Sequence, residues 1–155
     1  VIQQFFEVYP RGLTQVDRQG NNPLHIIMHG DGECHAELFK WVAEQCPSNM
    51  LVTNNFGCTR LNSACELLPS VCKSLGDHMG DDMGEICKYL IAKCPESVQI
   101  MDDDSLLPIH HLQRYCGHRP VKEVVVCLLR EYPQSYNMAS GRYRGRRQGA
   151  PSSIP

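Results

Sequence analysis

No apolar run in this chain approaches the roughly 18 residues that a membrane helix needs; the longest is Val124-Val125-Val126-Cys127-Leu128-Leu129. None of its nine cysteines stands in a Cys-x-x-Cys pair, so the sequence signatures of a zinc knuckle and of a thioredoxin-like redox site are missing. There is no Gly-x-Ser-x-Gly and no cysteine in a recognisable protease context, which removes the common nucleophile motifs. Gly76, Gly80 and Gly84 are four apart but no Lys-Ser/Thr follows them, so they are not a phosphate-cradling loop. The expectation is a protein that is not an enzyme and that carries no cofactor.

Metal chemistry is equally short of support. His25 and His29 stand at i, i+4, the spacing that puts two imidazoles on one helix face. The residue after His25 is Ile26 rather than the Glu of His-Glu-x-x-His. Asp77, Asp81, Asp82 and Glu85 do not follow the spacing of a calcium loop. No metal site is expected from either group.

Charge is scarce overall, at a net −2, but it is divided. Residues 1–138 carry 11 Lys/Arg against 17 Asp/Glu, while residues 139–155 carry four Arg and no acid. The body is therefore not expected to seek nucleic acid. The segment Arg142-Tyr143-Arg144-Gly145-Arg146-Arg147 interleaves charge with an aromatic and glycine. Such a segment can bind RNA by charge and stacking, or serve only as a solvated, disordered tail. A boundary is expected near 138–141. No signal peptide is seen, and the chain starts at Val1 within a helical pattern, as a piece of a longer protein does. An intracellular location, cytoplasmic or nuclear, is expected.

What the chain does have is a repeat. Tyr9-Pro10, Cys46-Pro47, Cys94-Pro95 and Tyr132-Pro133 fall at intervals of 37, 48 and 38 residues. A second marker keeps register: Pro23-Leu24-His25 lies 13 residues after Pro10, Pro108-Ile109-His110 lies 13 after Pro95, and Arg60-Leu61-Asn62 takes that slot after Pro47. A period of this size means stacked supersecondary units. Each unit opens on an Asp/Asn turn, with glycine three residues on at Gly20 and Gly57 and Ser105 in the third unit. Inner helices are predicted over 23–29, 60–68 and 108–115, with Pro23 and Pro108 at the first helical position and Thr59 as an N-cap. Outer helices are marked by Leu38, Phe39, Trp41, Val42 and Cys46, by Ile86, Leu90, Ile91 and Cys94, and by Val121, Val124, Val125, Leu128, Leu129 and Tyr132 at helical spacing. Ile2, Phe5, Phe6 and Tyr9 match the same slot, so the chain opens on half a unit.

Proline ends each outer helix, and the hydrophobe three residues later, Leu13, Met50, Val98 or Tyr136, is expected to staple the turn to the stack. Cys58, Cys65 and Cys72 are seven apart, as are Cys87 and Cys94. They read as reduced core thiols rather than as disulfides. Between the helices of the second unit, Pro69 to Gly84 reads as an exposed, mobile, acidic loop.

The Pro-Leu-His element resembles an ankyrin repeat, whose inner helix opens with Thr-Pro-Leu-His-x-Ala. Pro23, Leu24 and His25 carry it in the first unit, Thr59, Leu61 and Ala64 in the second, Pro108 and His110 in the third. The resemblance covers residues 1–138 and is most like the divergent ankyrin-like repeats of diatoms and related algae, which place Tyr-Pro where common ankyrins place Gly-Ala. The period is longer than the usual ~33 residues, and Asn62 replaces the His. Tetratricopeptide and HEAT arrays share the paired-helix pattern.

The resemblance implies an all-α, ankyrin-like helix-turn-helix solenoid of about three and a half repeats, with units near 1–13, 14–50, 51–98 and 99–136. It implies a protein-protein interaction scaffold. The expected contacts are Arg18, Gln19, Asn21, Asn55, Phe56, Asp103 and Asp104 at turn tips, with Phe56 as the anchor. His25 and His110 are implied to bond backbone. The partner is an unidentified protein. Nucleic acid is reachable only through 139–155, and a regulatory module of a larger enzyme is the third alternative.

Overall fold

The computed structural model describes residues 4, 7–28, 36–112 and 117–138, with the backbone alone at 76–78. The described residues are helical, without strands: α1 (Pro23–Met28), α2 (Ala36–Gln45), α3 (Arg60–Lys93), α4 (Pro108–Leu112) and α5 (Arg119–Glu131). The inner helices begin at 23, 60 and 108, as the proline and Thr59 signals predict. Ile2, Phe5, Phe6, His29, Cys34, Cys116 and the whole of 139–155 lie outside the described residues.

The helix-ending dipeptides share one geometry. Tyr9, Cys46, Cys94 and Tyr132 take φ between −132° and −143° and ψ between 68° and 77°. Proline excludes the residue before it from the helical region. A short 3-10 turn follows at Pro10–Leu13, Pro47–Met50 and Pro95–Gln99. Leu13, Met50 and Val98 are buried there. Tyr136 is not a staple: it is 66% exposed. After Pro133 the chain turns into helix at 135–138; Ser135 is buried and its hydroxyl donates to the Tyr132 carbonyl at 2.6 Å, as Ser97 does to the Cys94 carbonyl at 2.6 Å one unit earlier.

The largest departure from expectation is Pro69 to Gly84. It is helix, part of an unbroken 34-residue run. That run is not straight. At 1.5 Å per residue Cys65 and Cys87 would lie about 33 Å apart, yet their thiols are hydrogen-bonded. A Cβ on Gly80 would overlap the Cys72 sulfur, although eight residues separate the two. Both pairs centre on residue 76, so α3 doubles back there and forms an antiparallel pair.

Gly80 and Gly84, four residues apart, share one face of the returning arm. A Cβ at Gly84 would stand 3.4 Å from Pro120, and Gly80 meets both Cys72 and Pro120. Glycine here makes room for the Cys72 and Pro120 side chains rather than loosening a loop. The acidity is answered across the fold by Arg119, whose Nη2 donates to both Asp81 oxygens at 2.7 Å. Gly80, Met83 and Gly84 are buried. We predict that Gly80→Val lowers stability by about 2–4 kcal/mol in urea unfolding, through overpacking and a β-branched helix residue. Adding Cys72→Ala is expected to recover part of that loss, because the two positions are in contact.

The core runs between the paired layers, from Leu24, Phe39 and Val42 through Leu61, Leu68, Ile86 and Leu90 to Ile109, Val124 and Leu128. Cys65, Cys72, Cys87 and Cys94 are buried free thiols within it, while Cys46, Cys58 and Cys127 are half-buried. Burial and the Cys87 hydrogen bond push the Cys65 thiol well above its ordinary pKa, the mark of an inert packing thiol.

Candidate functional site: a ladder of stacked turns

Three five-residue turns, Asp17–Asn21, Asn54–Cys58 and Asp102–Leu106, fold by one hydrogen-bond pattern. The fourth amide donates to the first carbonyl, at 3.0 Å from Gly20, 3.1 Å from Gly57 and 2.9 Å from Ser105. The first amide donates to the fifth carbonyl, at 2.9, 3.0 and 3.0 Å. The first side chain accepts from amides within the turn. Asp17 Oδ1 takes Gln19 and Asn21 at 2.8 Å, Asn54 Oδ1 takes Phe56 at 3.0 Å and Cys58 at 3.1 Å, and Asp102 Oδ1 takes Leu106 at 2.9 Å. This is why Asp or Asn opens each unit. Those backbone bonds, led by the one from Asn21, hold the Asp17 carboxyl below its ordinary pKa.

The turns are joined to one another. Asn55 N–H donates to the Gln19 carbonyl at 2.9 Å, and Asp103 N–H to the Phe56 carbonyl at 3.1 Å. Gly20 and Gly57 lie at the crossings with φ of +76° and +68°. A Cβ on Gly20 would meet Asn55 N at 2.9 Å, and one on Gly57 would meet Asp103 N at 2.9 Å. The third turn takes the same left-handed conformation with Ser105, φ 60°.

The residues beneath hold the spacing. His25 Nδ1 accepts from Asn22 N–H at 3.2 Å, and its Nε2 bonds the Cys58 carbonyl of the next turn at 3.3 Å. Both nitrogens are occupied, which removes His25 from any metal role. Asn62 fills the same slot one unit on. Its Oδ1 accepts from Thr59 N–H at 3.1 Å and its Nδ2 reaches the Leu106 carbonyl at 3.4 Å. The substitution that breaks the sequence motif thus preserves its bond, because an amide offers the acceptor and donor that imidazole offers. In the third unit His110 Nδ1 accepts from Leu107 N–H at 2.9 Å. Leu24, Leu61 and Ala64 are fully buried, and Pro108 is buried with them.

The expected contact residues divide on this ladder. Arg18, Gln19, Phe56, Asp103 and Asp104 are exposed in a row. Asn21 is half-buried and engaged: its Nδ2 donates to Asp17 at 3.1 Å and its Oδ1 accepts from Asn54. The Asn55 side chain is also used, donating to the Arg18 carbonyl at 3.1 Å. Asp102 precedes the exposed pair Asp103 and Asp104 in the same turn. It is buried, bonded to Leu106 and to His111 Nε2 at 3.0 Å. The Phe56 ring is 56% exposed.

Charge is graded along the row, from Arg18 on the first turn to Asp103 and Asp104 on the third. Cys58 senses the acidic end: partial burial, then Asp102, Glu66, Asp103 and Asp104, push its thiol up to about 11. Glu66 is an addition from the structure; it lies exposed on the inner half of α3, and a lone acid in an apolar helix was its only sequence signal. Arg60 was also missed. It holds the slot of Pro23 and Pro108, is fully buried, and donates through Nη2 to the Val52 carbonyl. Its Nε and Nη1 are without hydrogen-bond partners among the described residues.

Among the described residues there is no group of His, Cys, Asp or Glu that could hold a metal ion, and no helix long and apolar enough to cross a membrane. No known protein family, curated protein or solved structure matches the chain.

Proposed function

We propose that this protein is an ankyrin-like interaction scaffold that binds a partner protein along its row of turn tips. The observation that carries the reading is the exposed Phe56 side chain, with Arg18 at the tip of the turn before it and Asp103 and Asp104 at the tip of the turn after it. The hydrogen-bonded ladder holds all three turns in fixed positions. A rigid aromatic on a preorganised surface loses little entropy on contact, which is how interface anchors gain their affinity. The charges around it select register and orientation more than they add affinity. Nothing in the core depends on the ring, so surface and stability are separable.

Phe56→Ala is expected to change unfolding free energy by no more than about 0.5 kcal/mol and to leave the far-UV circular dichroism intact. It is expected to weaken partner binding by about 2 kcal/mol, some thirtyfold. The measurement is affinity capture with wild-type and Phe56→Ala baits, followed by titration of the captured protein. Equal binding by both baits would overturn the assignment of Phe56, and loss of folding in the variant would place the ring in the core instead.

A further inference from the structure

The middle turn of the ladder has a turn on each side of it, yet both of its tip residues, Asn55 and Phe56, are exposed. The matching pairs, Arg18 and Gln19 on the first turn and Asp103 and Asp104 on the third, are exposed alike. Exposure along the row is therefore a property of the turn itself, and neighbouring turns lengthen the row without covering it. The three tips differ in chemistry. On the first, both Asp17 oxygens are tied within the turn, to the Gln19 and Asn21 amides and to Asn21 Nδ2. The longer Arg18 side chain is then the charge that can reach a partner. The second tip has no charge, and the third carries Asp103 and Asp104. The ladder also sets the spacing. Successive turns meet through single backbone bonds, Asn55 N–H to the Gln19 carbonyl at 2.9 Å and Asp103 N–H to the Phe56 carbonyl at 3.1 Å. Backbones bonded in this way lie about 5 Å apart, and neighbouring residues of one chain about 3.8 Å apart. Phe56 thus lies about 5 Å from Asp103, while Arg18, reached through Gln19 and Asn55, is at most about 13 Å from Phe56.

Resting on the function proposed above, we propose that the partner enters this row as an extended peptide segment of mixed charge, held in one register. An acidic residue of the segment pairs with Arg18, an apolar side chain packs on Phe56, and a basic residue pairs with Asp103 or Asp104. A line of tips, each one hydrogen bond from the next, matches the linear series of side chains that an extended chain presents. Such a chain advances about 3.3 Å per residue. The acid therefore stands three or four places from the apolar residue, and the base one or two places beyond it. Charge complementarity fixes this order, because a segment laid the other way along the row brings like charges together at both ends.

Panning a random twelve-residue peptide library on the full 155-residue chain, in reducing buffer at low salt, tests this. The enriched peptides are expected to carry acid, apolar residue and base in that order and at those intervals. One of them, synthesised with a fluorophore, should bind less tightly as salt rises, since the paired charges are exposed. Arg18→Glu should weaken that peptide about five- to tenfold, and so should Asp103→Arg. A bait reversed at both ends, with Arg18→Glu, Asp103→Arg and Asp104→Arg together, should enrich peptides in which acid and base have exchanged places. A Phe56→Ala bait should enrich none. Circular dichroism confirms that each bait is folded, and the single reversals serve if the triple variant is not. Enriched peptides without a charge order would overturn the inference, and so would peptides, such as purely acidic ones, that the wild-type and reversed baits bind equally. Failure to enrich any peptide would overturn it as well, while leaving Phe56 as an anchor for a folded partner. Enrichment that survives Phe56→Ala would overturn the reading on which the inference rests.

Discussion

Gly57→Ala is expected to lower the unfolding free energy by about 2–4 kcal/mol, among the largest losses that a single added methyl can cause here. Two costs combine. A left-handed φ of +68° costs a residue with a Cβ roughly 1–2 kcal/mol. The added carbon would also meet the backbone nitrogen of Asp103 at 2.9 Å and its Oδ1 at 2.5 Å. Backbone cannot swing aside as a side-chain tip can, so the third turn must lift and weaken its bond to the Phe56 carbonyl. Equilibrium urea unfolding measures the loss. Alanine at an exposed helical position such as Lys73 is the control and should change stability by no more than about 0.5 kcal/mol. A loss at Gly57 no larger than at the control would mean that the turns do not cross there.

Arg60→Met is expected to act in the opposite direction, raising stability at neutral pH by about 1–4 kcal/mol. Arg60 is a fully buried cation that, among the described residues, bonds the Val52 carbonyl and no carboxylate. Exchange of buried charge for an apolar side chain of similar volume is commonly stabilising on this scale. Burial lowers the pKa of Arg60 from the usual guanidinium range to about 9. Between those values the unfolded chain binds more protons than the native one. This group therefore adds stability as pH rises through that window, and its cost is present in full below it. Methionine removes the cost and its pH dependence together. Denaturant unfolding at neutral pH, for both proteins, checks it. A destabilised Arg60→Met would show that the guanidinium holds the second unit in place through contacts worth more than its desolvation.

These two positions also show what the sequence made legible. Asp or Asn followed three residues later by glycine is a local rule of turn chemistry, so the turns could be placed in advance. Proline forbids helix in the residue before it, which fixed the ends of the outer helices. The ladder's cross-unit bonds were only half visible. His25 announced one, while Asn62 concealed the next, because a motif records a residue name and the fold requires only an acceptor and a donor at that point. Arg60 broke the pattern without a sequence reason.

The segment Pro69–Gly84 was misread because glycine has two uses. Three glycines with four acids over Gly76–Glu85 suggest an exposed loop, but Gly80 and Gly84 share one face of the returning helix arm and pack there. The base that answers Asp81 is Arg119, 38 residues away, which no local window contains. Tyr136 failed because register alone does not bury a residue: it follows Pro133 as Met50 follows Pro47 and Val98 follows Pro95, yet it is 66% exposed. Among the contact residues, exposure at the turn tips followed from register, whereas the capture of Asn21 and Asn55 within the ladder depends on neighbouring turns and could not be read from either turn alone.

Amide hydrogen exchange at Asn55 and Asp103 tests the stacked ladder most directly. Both residues sit on exposed turns, where an unbonded N–H exchanges at the rate of the unfolded chain. The account predicts that both amides are protected and that Gly57→Ala strips protection from Asp103, whose backbone nitrogen the added methyl would meet. Free exchange at Asn55 and Asp103 in the wild-type protein would contradict it, since the turns would then be independent loops and no fixed row of contacts would exist.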